Sequence, residues 1–412
     1  MAVLALEEQI AELSARLDTY HPQRYPVQHA TAQFHLGTAM LQADRVVEAL
    51  ACLGTAEEIF GAVGLSLERA KAANMRGVAL RTAGSRDQAV EAFTRAARAF
   101  HELAHPVEEG AASYNVGMAN CDRNNPDDAR RAFTHSAQLF VAAGRMPEAA
   151  AAAREHATLL LGLGEVSAAV ELLAPAMEMA FRGRDMPGGG AAANALGLAL
   201  LATGDIDAAV SAFRDAVGAH PRSVRPAEHA MAKANLALAL EQGGDSARSR
   251  LAADQALGIR TAAEPVRAQA EEILKRLPPA TGVELFDVLD DTPVDRWVSV
   301  VREELLRWAD AVSRVRADAA AAWVDGHLRQ PGRGAEFAQG LLGALLELPP
   351  ASYEAVVRDI VMAVADRSTE DSERFRAAVR SGMARFALPQ WQRVAATFNA
   401  ASTELGEPAE WS

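Results

Sequence analysis

The sequence predicts an all-α fold in which pairs of helices stack along the chain and a separate helical bundle follows them. Three observations predict it. Small residues recur every 40 residues over more than half of the chain, and the recurrence stops near residue 277. Half of the residues are apolar, yet only 5% are aromatic. Alanine-rich sequences with few aromatic side chains suit closely packed helices better than sheets.

The first element is an amphipathic helix over residues 2–18, which Pro22 and Pro26 separate from the repeats. Each repeat has a small anchor residue where two helices can approach closely: Gly37, Gly77, Gly117, Ala157, Gly197 and Ala237. Seven positions later stands a turn residue: Asp44, Gly84, Asn124, Gly164, Gly204 and Gly244. Glycine and asparagine adopt the left-handed conformation at little cost and so end a helix. We therefore expect six helix pairs, with Phe93 and Phe133 filling the space towards the next pair.

The repeats are expected to end in a lone helix over residues 264–277, before a linker at 278–283. All five tryptophans lie beyond the linker, where apolar residues from Val294 to Ala322 follow a heptad spacing. This stripe predicts one long helix over 293–328, which either packs inside a bundle or forms a coiled coil with another copy or a partner helix. The exposure of Trp297 and Trp323 distinguishes the two. Further helices are expected near 334–348, 350–366, 370–386 and 388–405. The predicted segments are 1–26, 27–277, 278–283 and 284–412.

Charge and composition exclude several classes of function. The net charge of −13 is spread along the chain, so no clustered basic surface for nucleic acid is expected. The sequence contains no run of 18 apolar residues, so no membrane span is predicted. The acidic N-terminus argues against a secretory signal. We therefore expect a cytoplasmic protein. The two cysteines, Cys52 and Cys121, fall in repeat helices and are expected to be small packing residues.

Two short motifs resemble functional sites but have simpler explanations. Residues 101–105 (His-Glu-Leu-Ala-His) match a zinc-protease signature, yet Pro106 follows at once, so the helix should stop where the second ligand is needed. The glycines at 188–190 lack the strand and the lysine of a nucleotide loop, and we expect a flexible loop between repeats. No serine or cysteine has the sequence context of a catalytic nucleophile. The sequence therefore predicts no catalytic residues, no metal and no cofactor.

The repeat pattern resembles the tetratricopeptide repeat family over residues 28–277, with a period of 40 instead of the common 34. The resemblance implies a right-handed superhelix in which the first helix of each pair lines a concave groove. Carried over in phase, the groove residues that we expect to contact a partner are Lys71, Asn74, Arg81, Tyr114, Asn115, Arg154, Asn194 and Asn235. The two-lysine clamp that some relatives use for a terminal carboxylate is absent, because only Lys71 lies on this face.

Four asparagines stand at one phase of the repeat, inside predicted helices. This suggests that they have a function, because asparagine is a poor helix former. Their amides either pair with the backbone of a bound peptide or form hydrogen bonds within the stack. The leading hypothesis is a non-catalytic cytoplasmic adaptor that binds a peptide, helix or loop of a partner protein. Its C-terminal bundle would add a second contact or form a homodimer. The alternatives are a sensory regulator that responds to a peptide or metabolite, and an enzyme with its site in the C-terminal bundle.

Overall fold

The computed structural model describes residues 2–411, with side chains from residue 5 onward. All described elements are helical: twenty-one α-helices and two short 3-10 segments. Met1 and Ser412, at the outer ends of the first and last predicted segments, lie outside the described residues. The chain forms two compact units that divide between Gly204 and Asp205. In the part of the chain that the structure describes, no helix combines the length and apolar character needed to cross a membrane.

The first unit contains ten helices, and within it each successive pair of helices is in contact. They are α1 (Ala2–Thr19), α2 (Pro26–Gln42), α3 (Val46–Ala62), α4 (Ser66–Thr82), α5 (Arg86–Glu102), α6 (Pro106–Asp122), α7 (Pro126–Ala142), α8 (Met146–Gly162), α9 (Val166–Arg182) and α10 (Met186–Thr203). From α2 onward, every second helix begins at the same phase of the sequence repeat, as at Pro26, Ser66 and Pro106, so the repeat sets the element boundaries. The predicted N-terminal helix is confirmed.

The predicted turn residues all adopt the left-handed conformation. Their φ angles run from 57° at Asn124 to 84° at Gly204. A second set of left-handed residues lies half a repeat away, between one pair and the next: Gly64, Ala104, Gly144 and Arg184. This backbone conformation ends an α-helix. The two sets together therefore give the helices of this unit nearly equal lengths.

The glycine anchors are needed because a large side chain lies directly on them. A Cβ added to Gly77 would lie 2.6 Å from the ring of Phe93, and one added to Gly117 would lie 2.6 Å from the ring of Phe133. These phenylalanines therefore pack within their own pair. Phe93 also lies in one core cluster with Ala119 of α6, as expected for a side chain that fills the space towards the next pair.

The second unit contains eleven helices. They are α11 (Ile206–Ala219), α12 (Pro226–Gln242), α13 (Ser246–Leu257), α14 (Glu264–Arg276), α15 (Glu284–Asp290), α16 (Trp297–Asp310), α17 (Ser313–Arg329), α18 (Gly334–Leu346), α19 (Pro350–Ala365), α20 (Thr369–Met383) and α21 (Leu388–Leu405). Helix α14 packs on α12 and α13, as predicted for the lone helix after the repeats. The four helices expected after residue 334 are also present.

The single long helix predicted over residues 293–328 was wrong. The chain is extended at Ala311 and Val312, which separate α16 from α17. Buried apolar side chains of both helices, such as Leu305 and Trp323, face the same core, whereas Val312 and Val315 beside the break are 69% and 43% exposed. Trp297 and Trp323 are each 1% exposed. Away from the break, the stripe therefore packs inside the bundle, as the first of the two alternatives predicts.

The last repeat helices share a compact unit with the C-terminal bundle. Gln255 on α13 donates to Glu304 on α16 over 2.7 Å, and Arg250 lies 3.4 Å from Glu284 on α15. The linker predicted at 278–283 lies between α14 and α15, whereas the compact units divide earlier in the chain, after Gly204 in the fifth repeat.

Candidate functional site

The predicted groove residues of the first unit lie along one stripe of α4, α6 and α8. On α4, Lys71, Asn74, Val78 and Arg81 have the spacing of one helix face, and all four are half-buried. The neighbouring stripe of the same helix is buried against α5. We call the corresponding residues of the three helices the α4–α6–α8 stripe: Lys71, Asn74, Val78, Arg81, Tyr114, Asn115, Met118, Asp122, Arg154 and Glu155.

Two contacts join α4 to α6 along this stripe. Asn115 donates from Nδ2 to Oδ1 of Asn74 over 3.1 Å. About two helical turns further on, Arg81 donates from Nε to Oδ2 of Asp122 over 2.5 Å. Each contact spans 41 residues, so it links a residue to the one that follows its counterpart in the next repeat. The alternative in which asparagine forms hydrogen bonds within the stack is thus realised for this pair.

The amide pair still has hydrogen-bonding capacity. A carboxamide carries an acceptor oxygen and two N–H donors. After the bond between them is formed, Nδ2 of Asn74 and Oδ1 of Asn115 have no other partner among the side chains described. The pair therefore presents N–H donors from Asn74 and an acceptor oxygen from Asn115 to a ligand on this surface.

Tyr114 stands beside the amide pair on α6. Its ring packs edge-on against Phe133, with 5.8 Å between the ring centroids. Burial raises the pKa of the Tyr114 hydroxyl, and the nearby carboxylate of Glu155 raises it further. The phenol is therefore a neutral hydrogen-bonding group at the surface of the stripe.

The cations of the stripe differ in their partners. Arg81 is paired with Asp122, and Arg154 lies 3.1 Å from its neighbour Glu155. Lys71 forms no ion pair or hydrogen bond with any side chain that the structure describes. It is the one lysine of this unit and is half-buried.

The remaining two predicted residues are more deeply buried. Asn194 on α10 is 7% exposed and Asn235 on α12 is 6% exposed. Oδ1 of Asn235 accepts a hydrogen bond from Gln269 of α14 over 3.0 Å. Arg276 of the same helix pairs with Glu241 over 2.6 Å. Helix α14 thus covers the α12 stripe, and Asn235 faces the chain's own last repeat helix.

The corresponding part of α2 was not among the groove residues predicted from the sequence. Thr38 and Gln42, which lie one repeat before Val78 and Thr82, line a cleft of about 270 Å³. Helix α1 supplies its other wall, with Gln9, Glu12 and Arg16. The signal that could have found it is the same repeat phase, carried one unit towards the N-terminus.

The zinc-like motif does not assemble a metal site. Helix α5 ends at Glu102, and Ala104 is left-handed with φ of 56°. His101 instead lies 3.1 Å from Glu109, whose carboxylate also contacts His135 over 2.9 Å. Across residues 2–411, no group of three histidine, cysteine, aspartate or glutamate side chains is arranged to hold a metal ion.

The glycines at 188–190 are helical, so the expected flexible loop was wrong. They belong to the first turns of α10, where the side chain of Asp185 accepts from the N–H of Gly188 over 2.9 Å. A Cβ on Gly189 would lie 2.3 Å from the ring of Phe181. Glycine is present because the end of α9 packs closely on this turn.

Comparison with known proteins identifies the repeats. Residues 74–136, 154–224 and 195–265 match the tetratricopeptide repeat family model. No curated protein sequence matches the chain. Among solved structures, BtubC (BKLC) from P. vanneervenii is similar, with 16% identity, a TM-score of 0.42 and coverage of 67% of this chain and 94% of that one.

Two further solved structures are similar. The apo form of RapI has 13% identity and a TM-score of 0.48, covering 66% of this chain and 86% of that one. YrrB, described as a tetratricopeptide repeat protein with an unusual peptide-binding site, has 18% identity and a TM-score of 0.34, covering 47% and 87%. Since these TM-scores lie below 0.5, the assignment rests on the family model and the observed helix repeat. The chain contains tetratricopeptide repeats within residues 74–265.

Proposed function

We propose that this protein is a non-catalytic cytoplasmic adaptor whose α4–α6–α8 stripe binds an extended segment of a partner protein. The observation that supports the proposal most directly is the amide pair. Asn74 presents N–H donors and Asn115 presents an acceptor oxygen, and a peptide unit offers the complementary carbonyl and N–H. Recognition of this kind holds a backbone regardless of its side chains.

The surroundings of the pair suit a peptide ligand. Val78 and Met118 lie one turn further along α4 and α6 and are half-buried, so they can pack against apolar side chains of the bound segment. Methionine is flexible and adapts to side chains of different shape. The ion pairs of Arg81 and Arg154 flank this apolar centre and keep the edge of the surface soluble.

The proposal can be tested by affinity capture from the protein's own cell extract. We compare the tagged full chain with an Asn74→Ala/Asn115→Ala double variant and identify the captured proteins by mass spectrometry. Loss of two peptide hydrogen bonds, each worth about 1 kcal/mol, should weaken binding of a specific partner by about tenfold or more.

The matched control is Asn235→Ala, which removes the same side chain from the stripe that α14 covers. It should capture the same partner as the unchanged protein. Circular dichroism must show that all three proteins are folded. If the double variant retains full binding, the α4–α6–α8 stripe is not the binding surface and the proposal fails.

A further inference from the structure

We infer that the segment bound on the α4–α6–α8 stripe carries an acidic side chain that pairs with Lys71. This inference rests on the proposed function, and it adds the chemistry of the partner. It names an aspartate or glutamate close to the peptide unit that the amide pair holds.

The first observation is the uneven pairing of the cations. Arg81 and Arg154 each have a carboxylate within 3.1 Å, whereas Lys71 has no partner among the described side chains. The chain as a whole has a net charge of −13, so carboxylates are abundant. A half-buried lysine that none of them approaches is available to a carboxylate supplied by another molecule.

The second observation is the excess of donors around Lys71. Asn74 lies one helical turn from Lys71, so their Cβ atoms are about 5–6 Å apart. The groups without a partner on this face of α4 are the ammonium of Lys71 and Nδ2 of Asn74, and both only donate hydrogen bonds. A carboxylate only accepts hydrogen bonds, and it therefore complements this set better than an amide, a hydroxyl or a second cation.

The distances limit where the acidic residue lies in the segment. An extended chain rises about 3.3 Å per residue, so a side chain that reaches Lys71 belongs within about two residues of the peptide unit at the amide pair. No second lysine stands on this stripe to complete a clamp for a chain terminus. We therefore assign the interaction to a side-chain carboxylate.

A random-peptide library displayed on phage tests the inference directly. Peptides fused to the coat protein through their C-termini carry no terminal carboxylate, so any acidic preference comes from side chains. The immobilised full chain is compared with Lys71→Glu, Lys71→Arg and the control Lys275→Glu. Lys275 is 71% exposed on α14 and away from this stripe's helices in sequence.

Peptides with aspartate or glutamate at a fixed position should be enriched by the unchanged protein, by Lys71→Arg and by Lys275→Glu. Lys71→Glu should lose that preference. Synthetic peptides with the acidic residue changed to its amide should then bind the unchanged protein about threefold to fivefold more weakly. Their affinity for Lys71→Glu should not fall.

The possible failures are distinguishable. The inference would be overturned if the enriched peptides showed no acidic preference. It would also be overturned if Lys71→Glu kept the preference. In both cases the proposed function would remain intact. Peptides whose binding is unaffected by Asn74→Ala/Asn115→Ala would instead contradict the proposed function. A library that yields no binder to the folded, unchanged chain would count against both.

Discussion

Single glycines decide how closely the two helices of a pair approach. Gly117 faces the ring of Phe133, which a Cβ would meet at 2.6 Å, whereas a Cβ on Gly54 of α3 would point into open space. We expect Gly117→Ala to lower the free energy of unfolding by about 1–3 kcal/mol through overpacking. Gly54→Ala should leave it unchanged or raise it by up to about 1 kcal/mol, because alanine favours helices. Urea unfolding followed by circular dichroism compares the two variants.

The fourth helix pair indicates a second substitution that should offset the destabilisation by Gly117→Ala. Where α8 carries Ala157 at the anchor position, α9 carries Leu173 in place of phenylalanine. Adding Phe133→Leu to Gly117→Ala should recover part of the lost stability, although Phe133→Leu alone leaves a cavity and is destabilising. A double-mutant cycle measures this coupling. Strictly additive effects would show that the ring does not rest on the anchor.

A second residue-scale feature is the buried imidazole of His327. It is 2% exposed and packs on Phe375 with 4.6 Å between ring centroids. Neither ring nitrogen has a hydrogen-bond partner within the described part of the chain. Burial lowers the pKa of His327 from its ordinary 6.5 to about 4. The folded protein therefore binds this proton at lower pH than the unfolded chain does.

His327 should make the protein sensitive to mild acid. The unfolded chain takes up the proton of His327 near pH 6.5, whereas the folded protein does so only near pH 4. The free energy of unfolding therefore falls by about 3 kcal/mol in total as the pH drops from 6.5 to 4. Thermal unfolding at pH 7 and pH 4.5 should show a smaller difference for His327→Leu than for the unchanged protein. His21→Leu, at an exposed position, is the control. Equal pH dependence in all three proteins would exclude this role.

At the scale of elements, local backbone preferences made the helix ends predictable. The left-handed turns at Gly84 and Gly164 follow from the residue itself, so the sequence alone places them. The break between α16 and α17 is different. An apolar spacing of three and four residues is the same for one long helix and for two successive helices that face one core. No glycine or proline marks Ala311 and Val312, so the sequence carried no sign of the break.

The break can be tested with proline. Val312 has φ of −64°, which proline matches, and the preceding Ala311 is extended, as a residue before proline prefers to be. Val312 is also 69% exposed. We expect Val312→Pro to change the free energy of unfolding by less than about 1 kcal/mol. Ala319→Pro, inside α17, should cost about 3 kcal/mol or more. A similar large loss for Val312→Pro would indicate a continuous helix.

The candidate site was predictable only in part, for a related reason. The repeat phase places Asn74, Tyr114 and Arg154 on one stripe, because side chains separated by whole repeats occupy equivalent positions. Whether a side chain on that stripe is free depends on its neighbours in space. Arg81 is paired with Asp122, and Asn235 lies under α14. Neither contact follows from helix periodicity, because each depends on which residue of the adjacent helix lies opposite the stripe residue.

On the scale of the whole molecule, the second unit combines repeat helices with the bundle through buried charges. Lys233 on α12 is 7% exposed, donates to Gln255 over 2.6 Å and lies 3.4 Å from Glu303 on α16. Burial alone would raise the pKa of Glu303, but the imidazole of His229, 3.6 Å away, and the charge of Lys233 lower it to about 2. Glu303 therefore stays ionised, and its partners come from the repeat helices.

We therefore expect the bundle to depend on the last repeats for its stability. A fragment of residues 205–412 keeps Lys233 and Gln255 with their partners on α16, whereas a fragment of residues 283–412 removes them. Breaking a buried ion pair by deleting one partner costs about 3–5 kcal/mol, so the shorter fragment should melt at a clearly lower temperature or fail to fold. Calorimetry compares the two fragments, and Lys233→Met in the full chain tests the same contact without truncation. If the shorter fragment melts cooperatively at the temperature of the longer one, and Lys233→Met has no effect, the bundle is an independent domain that begins at the linker predicted from the sequence.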